Sequence, residues 1–187
     1  MSCSLGSGWV LPCKDGVGGI NALYFIDYGT ITPAYDVTNT NVLTDIGTVT
    51  AYKFDIKSAS NLIQTQTSSA DSGTTFVDQI ITAILQRLNH ATDEQLKLMA
   101  FGRNHIVVEY KTGESVLVGI NFGASLESSV ADGGTAMGDL NGYTLTINAQ
   151  ERLAANFLEG AVVGDPFSGL TGAGVVTVVL GTAIAPA

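Results

Sequence analysis

The stretch Thr74-Thr-Phe-Val-Asp-Gln-Ile-Ile-Thr-Ala-Ile-Leu-Gln-Arg-Leu-Asn89 decides the fold of this chain. It predicts one long, two-faced strand, whereas an ordinary strand has about 5–6 residues. A strand of this length overhangs a small sheet, and its unpaired edge then accepts hydrogen bonds from a neighbouring chain. The sequence therefore predicts pairing between copies of this protein.

A short helix is predicted directly after this strand, at about residues 92–101. Thr92 is a good N-cap, and Gln95 three residues later completes a capping box. Leu96 begins the apolar face of the helix, and Gly102 is expected to end it as a C-terminal glycine. One amphipathic helix of this size can cover one face or open end of a sheet.

The rest of the chain predicts strands separated by turns. A hairpin is expected from residues 105–110 and 115–122, because the connection Lys111-Thr-Gly-Glu114 is short and contains glycine. Residues 30–47 are polar and are interpreted as a loop. Further strands are predicted at residues 19–28, 48–56, 61–67, 124–130, 142–148 and 175–180.

No linker divides the chain, and its length suits a single domain with a substantial core. A mild boundary at Gly160 precedes a glycine-rich tail. We therefore expect an N-terminal arm at residues 1–18, a core at 19–159, and a C-terminal strand or arm at 160–187.

The composition indicates a folded, β-rich protein. Of the 187 residues, 45% are hydrophobic, 13% are charged and 22 are glycine. Low charge with much glycine fits many turns and surface hidden in an assembly. The net charge is −9, and no cluster of lysine or arginine exists that could bind phosphate. Direct binding of nucleic acid is therefore not expected, although an acidic surface can face DNA without holding it.

The sequence predicts no catalytic, cofactor or metal site, and we do not expect an enzyme. The glycines of Gly16-Val-Gly-Gly19 precede a strand, so they lack the context of a phosphate loop. Cys3, Cys13, His90 and His105 do not form the paired spacing of a zinc site. A chance meeting of two of the 17 acidic residues remains open as an enzymatic alternative.

The N-terminus has no basic region followed by an apolar run, so synthesis in a host cytoplasm is expected. There, thiols at Cys3 and Cys13 are favoured over a disulfide, although their pairing stays open. Residues 167–187 carry no charge, but their glycine, proline and threonine content argues against a membrane span.

Two segments resemble the tail tube, or major tail, proteins of tailed bacteriophages. The late segment Gly133-Gly-Thr-Ala-Met-Gly-Asp-Leu-Asn-Gly-Tyr-Thr-Leu-Thr-Ile-Asn-Ala-Gln-Glu151 is similar to a late strand and exit turn in that family. The opening Cys13-x-Asp-Gly-x-Gly-Gly-Ile20 is similar to that of tail proteins from phages infecting Bacteroidetes. The likeness covers roughly residues 10–158, and the tail beyond Gly160 departs from it.

The resemblance implies a mainly β subunit, sandwich or barrel-like, with one short flanking helix. It also implies hexameric rings that stack into a tube, located in the virion tail, through which DNA passes without specific binding. The partners would be copies of the same chain and other virion proteins, with no membrane. Since each copy has a net charge of −9, some acidic residues are expected to line the lumen.

Three segments are expected to form the contacts between copies: the long strand, the hairpin turn and the C-terminal strand. Their candidate residues are Thr74, Phe76, Ile80, Ile81, Ile84, Lys111, Glu114, Val175, Val176, Val178 and Val179. Another virion structural role, as a capsid decoration (auxiliary) protein or head–tail joining subunit, is the alternative. A small binding or adhesion module of the sandwich type is a further one.

Overall fold

The computed structural model of the chain describes residues 8–9, 16–56 and 59–181. The prediction of a mainly β, sandwich-like fold with one short helix is confirmed. The elements are β1 Ile20–Asp27, β2 Ala34–Tyr35, β3 Val42–Asp45, β4 Val49–Asp55, β5 Asn61–Ser69, β6 Thr74–Gln86, α1 His90–Phe101, β7 Asn104–Tyr110, β8 Ser115–Val118, β9 Ser125–Asp132, β10 Gly142–Glu151, β11 Asn156–Leu158 and β12 Val176–Leu180.

The large sheet has eight strands in the order β12-β4-β1-β7-β8-β11-β3-β2. Its central strands β1 and β7 are buried on both faces, which explains their nearly continuous apolar sequences. A register shift between Ile20 and Ala22 turns Ile20 to the opposite side from Tyr24 and Ile26. Simple alternation along the predicted strand at residues 19–28 would place these residues on one face, and this register shift is why Ile20 departs from it.

The small sheet has four antiparallel strands in the order β5-β6-β10-β9. Alternate residues of β6 and β10 are buried, so one face of this sheet packs on the core. The opposite face carries no further layer among the described residues, and we call it the open face.

Two apolar clusters hold the layers together. The first lies between the sheets and joins Leu23, Phe25 and Ile106 of the large sheet to Ile81 and Leu145 of the small one. The second lies on the far face of the large sheet. It contains the buried residues Tyr24, Ile26, Leu43, Val107 and Leu117, and the partly buried Phe167 and Leu170 cover it. Each fully buried aliphatic side chain contributes about 1.5–3 kcal/mol.

The helix begins earlier than predicted. Asn89 is its N-cap, with its side-chain oxygen accepting a hydrogen bond from the backbone N–H of Ala91 at 3.3 Å, so the Thr92 capping box is wrong. Strand β6 also ends before Asn89, because Arg87 has a left-handed φ of 72°. Gly102 follows the helix in an extended conformation with φ −113°, so no left-handed cap forms there.

The polar segment at residues 30–47 is not only a loop, because it contains β2 and β3. Strand β3 pairs in parallel with β11, a strand that the sequence did not predict. Both are short, and their pairing partners lie far apart in the chain, so no local signal marks them.

The predicted arm boundaries fall partly outside the described residues, as do Cys3 and Cys13. Of the C-terminal region, residues 160–175 cross the far face of the large sheet. Strand β12 then pairs with β4 at the edge of that sheet. The division at residue 160 itself stays a prediction.

Candidate assembly surfaces

The long strand β6 is an inner strand of the small sheet. It pairs with β5 along Thr74–Thr82 and with β10 along Val77–Gln86. The strand is therefore paired on both sides along Val77–Thr82, and the expected unpaired edge is limited to its two ends, Thr74–Phe76 and Ala83–Gln86, which each have a partner strand on one side only. Its length instead lets two neighbouring strands attach to it, each displaced towards one end.

Alternation along β6 separates the predicted interface residues. Ile81 is fully buried in the core between the sheets, so it is unable to contact another copy. Thr74, Phe76, Ile80 and Ile84 lie on the open face, where they are exposed or partly exposed. Their role in assembly stays a prediction.

One end of the β5–β6 hairpin projects beyond the sheet. Strand β10 ends at Glu151, opposite Val77, whereas β5 and β6 stay paired up to Ser69 and Thr74. The projecting ribbon is polar except for Phe76, which is 37% exposed. A two-stranded ribbon gains little stability by itself, so a partner surface would stabilise it.

The open face carries both polar and apolar side chains and is almost uncharged. Register places hydroxyl and amide side chains in rows across the four strands, such as Thr82 beside Thr146 and Asn61, and Thr146 beside Ser128. All four strands lie within the described residues, and they contain no lysine or arginine. Asp78 lies on this face, where its carboxylate accepts a hydrogen bond from Gln150 at 2.8 Å.

The two outer strands of the small sheet have free edges. Among the described strands, none pairs with the outer side of β5 or of β9. Strand β5 contains neither a charged residue nor proline, and the charged residues of β9 are both acidic, Glu127 and Asp132. Lysine and proline are common devices against edge-to-edge pairing, and these edges lack both.

A buried polar network holds the connection between β8 and β9. Glu151 accepts hydrogen bonds from the backbone N–H groups of Asn121 and Phe122, both at 2.8 Å. The backbone N–H of Gly119 donates to the side chain of Gln79 at 3.2 Å. These bonds join the connection to β6 and β10 of the small sheet.

His105 belongs to the same region and is almost fully buried. Its Nε2 accepts a hydrogen bond from the backbone N–H of Gly29 at 3.0 Å, so Nδ1 carries the proton and donates to the oxygen of Gly119 at 2.6 Å. Burial lowers the pKa of His105, although the Gly119 carbonyl and Glu151 oppose this shift. Both ring nitrogens therefore serve to position backbone.

The predicted turn contacts Lys111 and Glu114 lie at the exposed tip of the β7–β8 hairpin. The backbone N–H of Lys111 donates to the oxygen of Gly19 at 3.1 Å, which fixes the turn against the start of β1. This tip belongs to the large sheet, so the structure does not join it to the candidate residues of β6.

The C-terminal candidates lie on another edge of the large sheet. Val176, Val178 and Val179 belong to β12, which pairs in parallel with β4, and Val175 directly precedes it. Only Val176 packs against the second apolar cluster, whereas the rest are exposed. In the described chain this strand completes its own sheet, and its contact with a neighbour stays a prediction.

Two carboxylates fasten residues 160–175, which we call the strap. Glu109 is fully buried and accepts hydrogen bonds from Asn21 Nδ2 and the Gly164 N–H, both at 2.6 Å, and from the Tyr24 hydroxyl at 2.9 Å. Burial, reinforced by Glu109, raises the pKa of Tyr24.

Asp45 holds the other end of the strap. It accepts hydrogen bonds from the backbone N–H groups of Gly47 at 2.9 Å and Gly174 at 3.2 Å. These bonds lower the pKa of Asp45 below its ordinary value of 3.8.

The free edges of β5 and β9 were missed by sequence reasoning, because an edge is a property of strand order and not of one strand. One signal did exist. Thr144 and Thr146 alternate with apolar residues, which indicates a sheet with one polar face.

Comparison of the chain with protein-family models, with curated proteins and with solved structures finds no significant match. Among the described residues, no helix combines the length and apolar character that a membrane span requires. The interpretation of the surfaces therefore depends on their own geometry and chemistry.

Proposed function

We propose that this chain is a self-assembling virion structural protein whose copies form stacked hexameric rings, the tube of a phage tail. One observation carries this proposal: the small sheet has two long, unprotected edges of opposite strand direction. Each copy can therefore offer β9 to β5 of the next copy.

Strand direction makes this joining regular. In the order β5-β6-β10-β9 every neighbouring pair is antiparallel, so β5 and β9 run in opposite directions. When identical copies are related by rotation, β9 of one copy meets β5 of the next in an antiparallel pair. Repetition of one head-to-tail contact closes a ring, and a closed barrel leaves no edge unpaired.

The open face then faces the lumen, because the other face of the small sheet packs on the core. Its hydroxyl and amide groups are neutral, and register adds the carboxylates of Asp78 and Asp132. Since the strands provide no cation, the wall would not attract DNA phosphates. A wall of this kind suits the passage of DNA without binding.

The proposal is tested by placing a lysine on each free edge. Thr65 on β5 and Ser128 on β9 are exposed, so Thr65→Lys and Ser128→Lys should leave unfolding free energies within about 0.5 kcal/mol of the parent. Val37→Lys is the matched control, because Val37 is exposed in the turn between β2 and β3. Negative-stain microscopy and sedimentation of the four proteins report assembly.

We expect rings or tubes from the parent and from Val37→Lys, and their loss from both edge variants. Loss of assembly in only one of the two edge variants would indicate a two-fold dimer instead of a ring, since a head-to-tail contact uses both edges. A parent that stays monomeric at high concentration would refute the proposal. Binding to capsids without tubes would favour the alternative of a capsid decoration protein.

A further inference from the structure

A groove of aromatic and apolar side chains runs between α1 and the large sheet. It consists of two adjoining hollows of about 400 and 450 Å³ that share Tyr52, Phe54 and Gln95 as lining residues. Val179 and Leu180 border one end of the groove, and Tyr28 borders the other. Hollows of this size lie within the range that binds ligands and side chains in other proteins.

Exposed apolar side chains lie at the rim of the groove beside the charged residues Lys53, Asp27 and Arg103. Leu98 on α1 is 63% exposed, and Tyr28 and Tyr52 expose part of their rings. Leu96 is the buried residue of the helix and Met99 packs partly against the core, whereas Leu98 and Phe101 are exposed. Apolar side chains exposed along a groove can accept an apolar side chain of a partner.

The single tryptophan of the chain, Trp9, is a further exposed apolar side chain. Trp9 is 79% exposed, so among the described residues its indole ring is not buried in the groove of its own chain. A buried tryptophan contributes about 150–250 Å² of contact area, and tryptophan is enriched among residues that dominate binding.

The position of Trp9 in the chain lets it reach another copy. It lies eleven residues before Ile20, where β1 begins. An extended chain of that length spans at most about 36–40 Å. A compact chain of 187 residues has a radius of gyration of only about 16 Å. The reach is thus more than twice this radius.

We propose that Trp9 of one copy binds in the groove between α1 and β4 of a second copy. This inference rests on the proposed self-association, and it adds the contact that an N-terminal segment contributes. The aromatic rings of Tyr52 and Phe54 would pack against the indole ring, and Gln95 provides a side-chain acceptor for the indole N–H.

Intrinsic fluorescence tests this proposal directly, because Trp9 is the only tryptophan. On raising the concentration of the full chain, the emission maximum should move to shorter wavelength as the indole leaves water. Trp9→Ala should weaken association at least tenfold, equivalent to about 1.4 kcal/mol. Leu98→Lys should prevent the shift, whereas Met137→Lys, at an exposed site on the β9–β10 connection, should leave it unchanged.

Mixing two variants separates binding to another copy from binding within one chain. The Trp9→Ala variant keeps an intact groove, and the Leu98→Lys variant keeps its tryptophan. Neither should show the shift alone, but a mixture should recover it. Absence of recovery, or a shift in the parent that does not depend on concentration, would overturn the proposal.

The two proposals fail in different ways. Tubes whose Trp9 emission stays that of exposed indole would refute the groove contact and leave the tube proposal standing. A Trp9-dependent dimer without rings would refute the tube proposal and leave the groove contact standing. A parent without any association, and with exposed Trp9 throughout, would refute both.

Discussion

The buried carboxylate of Glu109 gives the sharpest test of how the strap is held. It lies among three hydrogen-bond donors, and no lysine or arginine of the described chain forms an ion pair with it. Its contribution should therefore come from hydrogen bonding and not from charge. Replacement by Gln keeps the shape and removes the charge, whereas replacement by Ala removes the acceptors.

The geometry predicts a small effect for the first substitution and a large one for the second. In Glu109→Gln the amide oxygen can take the place of Oε1, which accepts from Asn21 and Gly164. The amide N–H₂ can then donate to the hydroxyl oxygen of Tyr24, which rotates its own proton away. The Tyr24 proton then loses its acceptor, but a buried charge is removed as well. Because these two effects oppose each other, the unfolding free energy should fall by only about 1 kcal/mol.

Glu109→Ala leaves the three donors without their acceptor. Hydrogen bonds to charged groups contribute about 1.5–3 kcal/mol each, but the variant also avoids the cost of burying a carboxylate. Water can reach the partly buried groups of Asn21 and Gly164 but not the Tyr24 hydroxyl. We therefore expect a net loss of about 3 kcal/mol.

Urea unfolding at pH 7, at concentrations where the chain is monomeric, measures both variants. With a slope of about 2 kcal/mol/M, Glu109→Ala should lower the midpoint by about 1.5 M. Glu114→Ala, at an exposed turn, is the control and should stay within about 0.5 kcal/mol. A large loss in Glu109→Gln would refute this reasoning, because it would show that the negative charge itself is required.

Three further predictions concern other parts of the structure. Because the folded pKa of His105 lies below its ordinary value of 6.5, the unfolded chain binds more protons, and the stability in urea should fall as the pH drops below about 6.5. A stability that does not change with pH, or the same pH dependence in His105→Gln, would contradict this prediction. Gly172→Ala should loosen the strap in limited proteolysis, because a Cβ there would overlap the Asp45 side chain, whereas Gly138→Ala, where an added Cβ meets nothing within 4 Å, should leave the cleavage rate unchanged; equal rates in both variants would contradict the overlap. Ile81→Ala should cost about 2–5 kcal/mol in urea unfolding, whereas the partly exposed Ile80 on the open face should tolerate the same change, and equal losses would show that the sheet faces are assigned wrongly.

The sequence predicted where the strands lie better than it predicted which strands pair with one another. The β7–β8 hairpin and the strands β4, β5 and β10 follow from alternation and turn residues that lie close together in the chain. The position of β6 inside a sheet depends on β10, which is far away in sequence, so no local pattern could reveal it. The same is true of β3, whose partner β11 follows more than a hundred residues later.

The start of the helix was predicted wrongly for a different reason. Asn89 and Thr92 are both good N-caps, and residue preference alone does not choose between them. The left-handed turn at Arg87 ends β6 early, and the chain then reaches helical conformation at His90. In the case of Glu109 a signal was present, since a carboxylate inside the apolar run Ile106–Tyr110 implies a buried partner.

The distribution of unsatisfied backbone groups favours the small sheet as the place where copies join. The large sheet ends in β2, with two residues, and in β12, with five, so its edges offer few hydrogen bonds. The small sheet ends in β5 and β9, with nine and eight residues. Only one face of this sheet packs against another layer of the described chain. A protein that functions alone would be expected to protect such edges with lysine, proline or a covering segment. Strand β5 carries no lysine or proline, so its free edge supports the proposed pairing between copies.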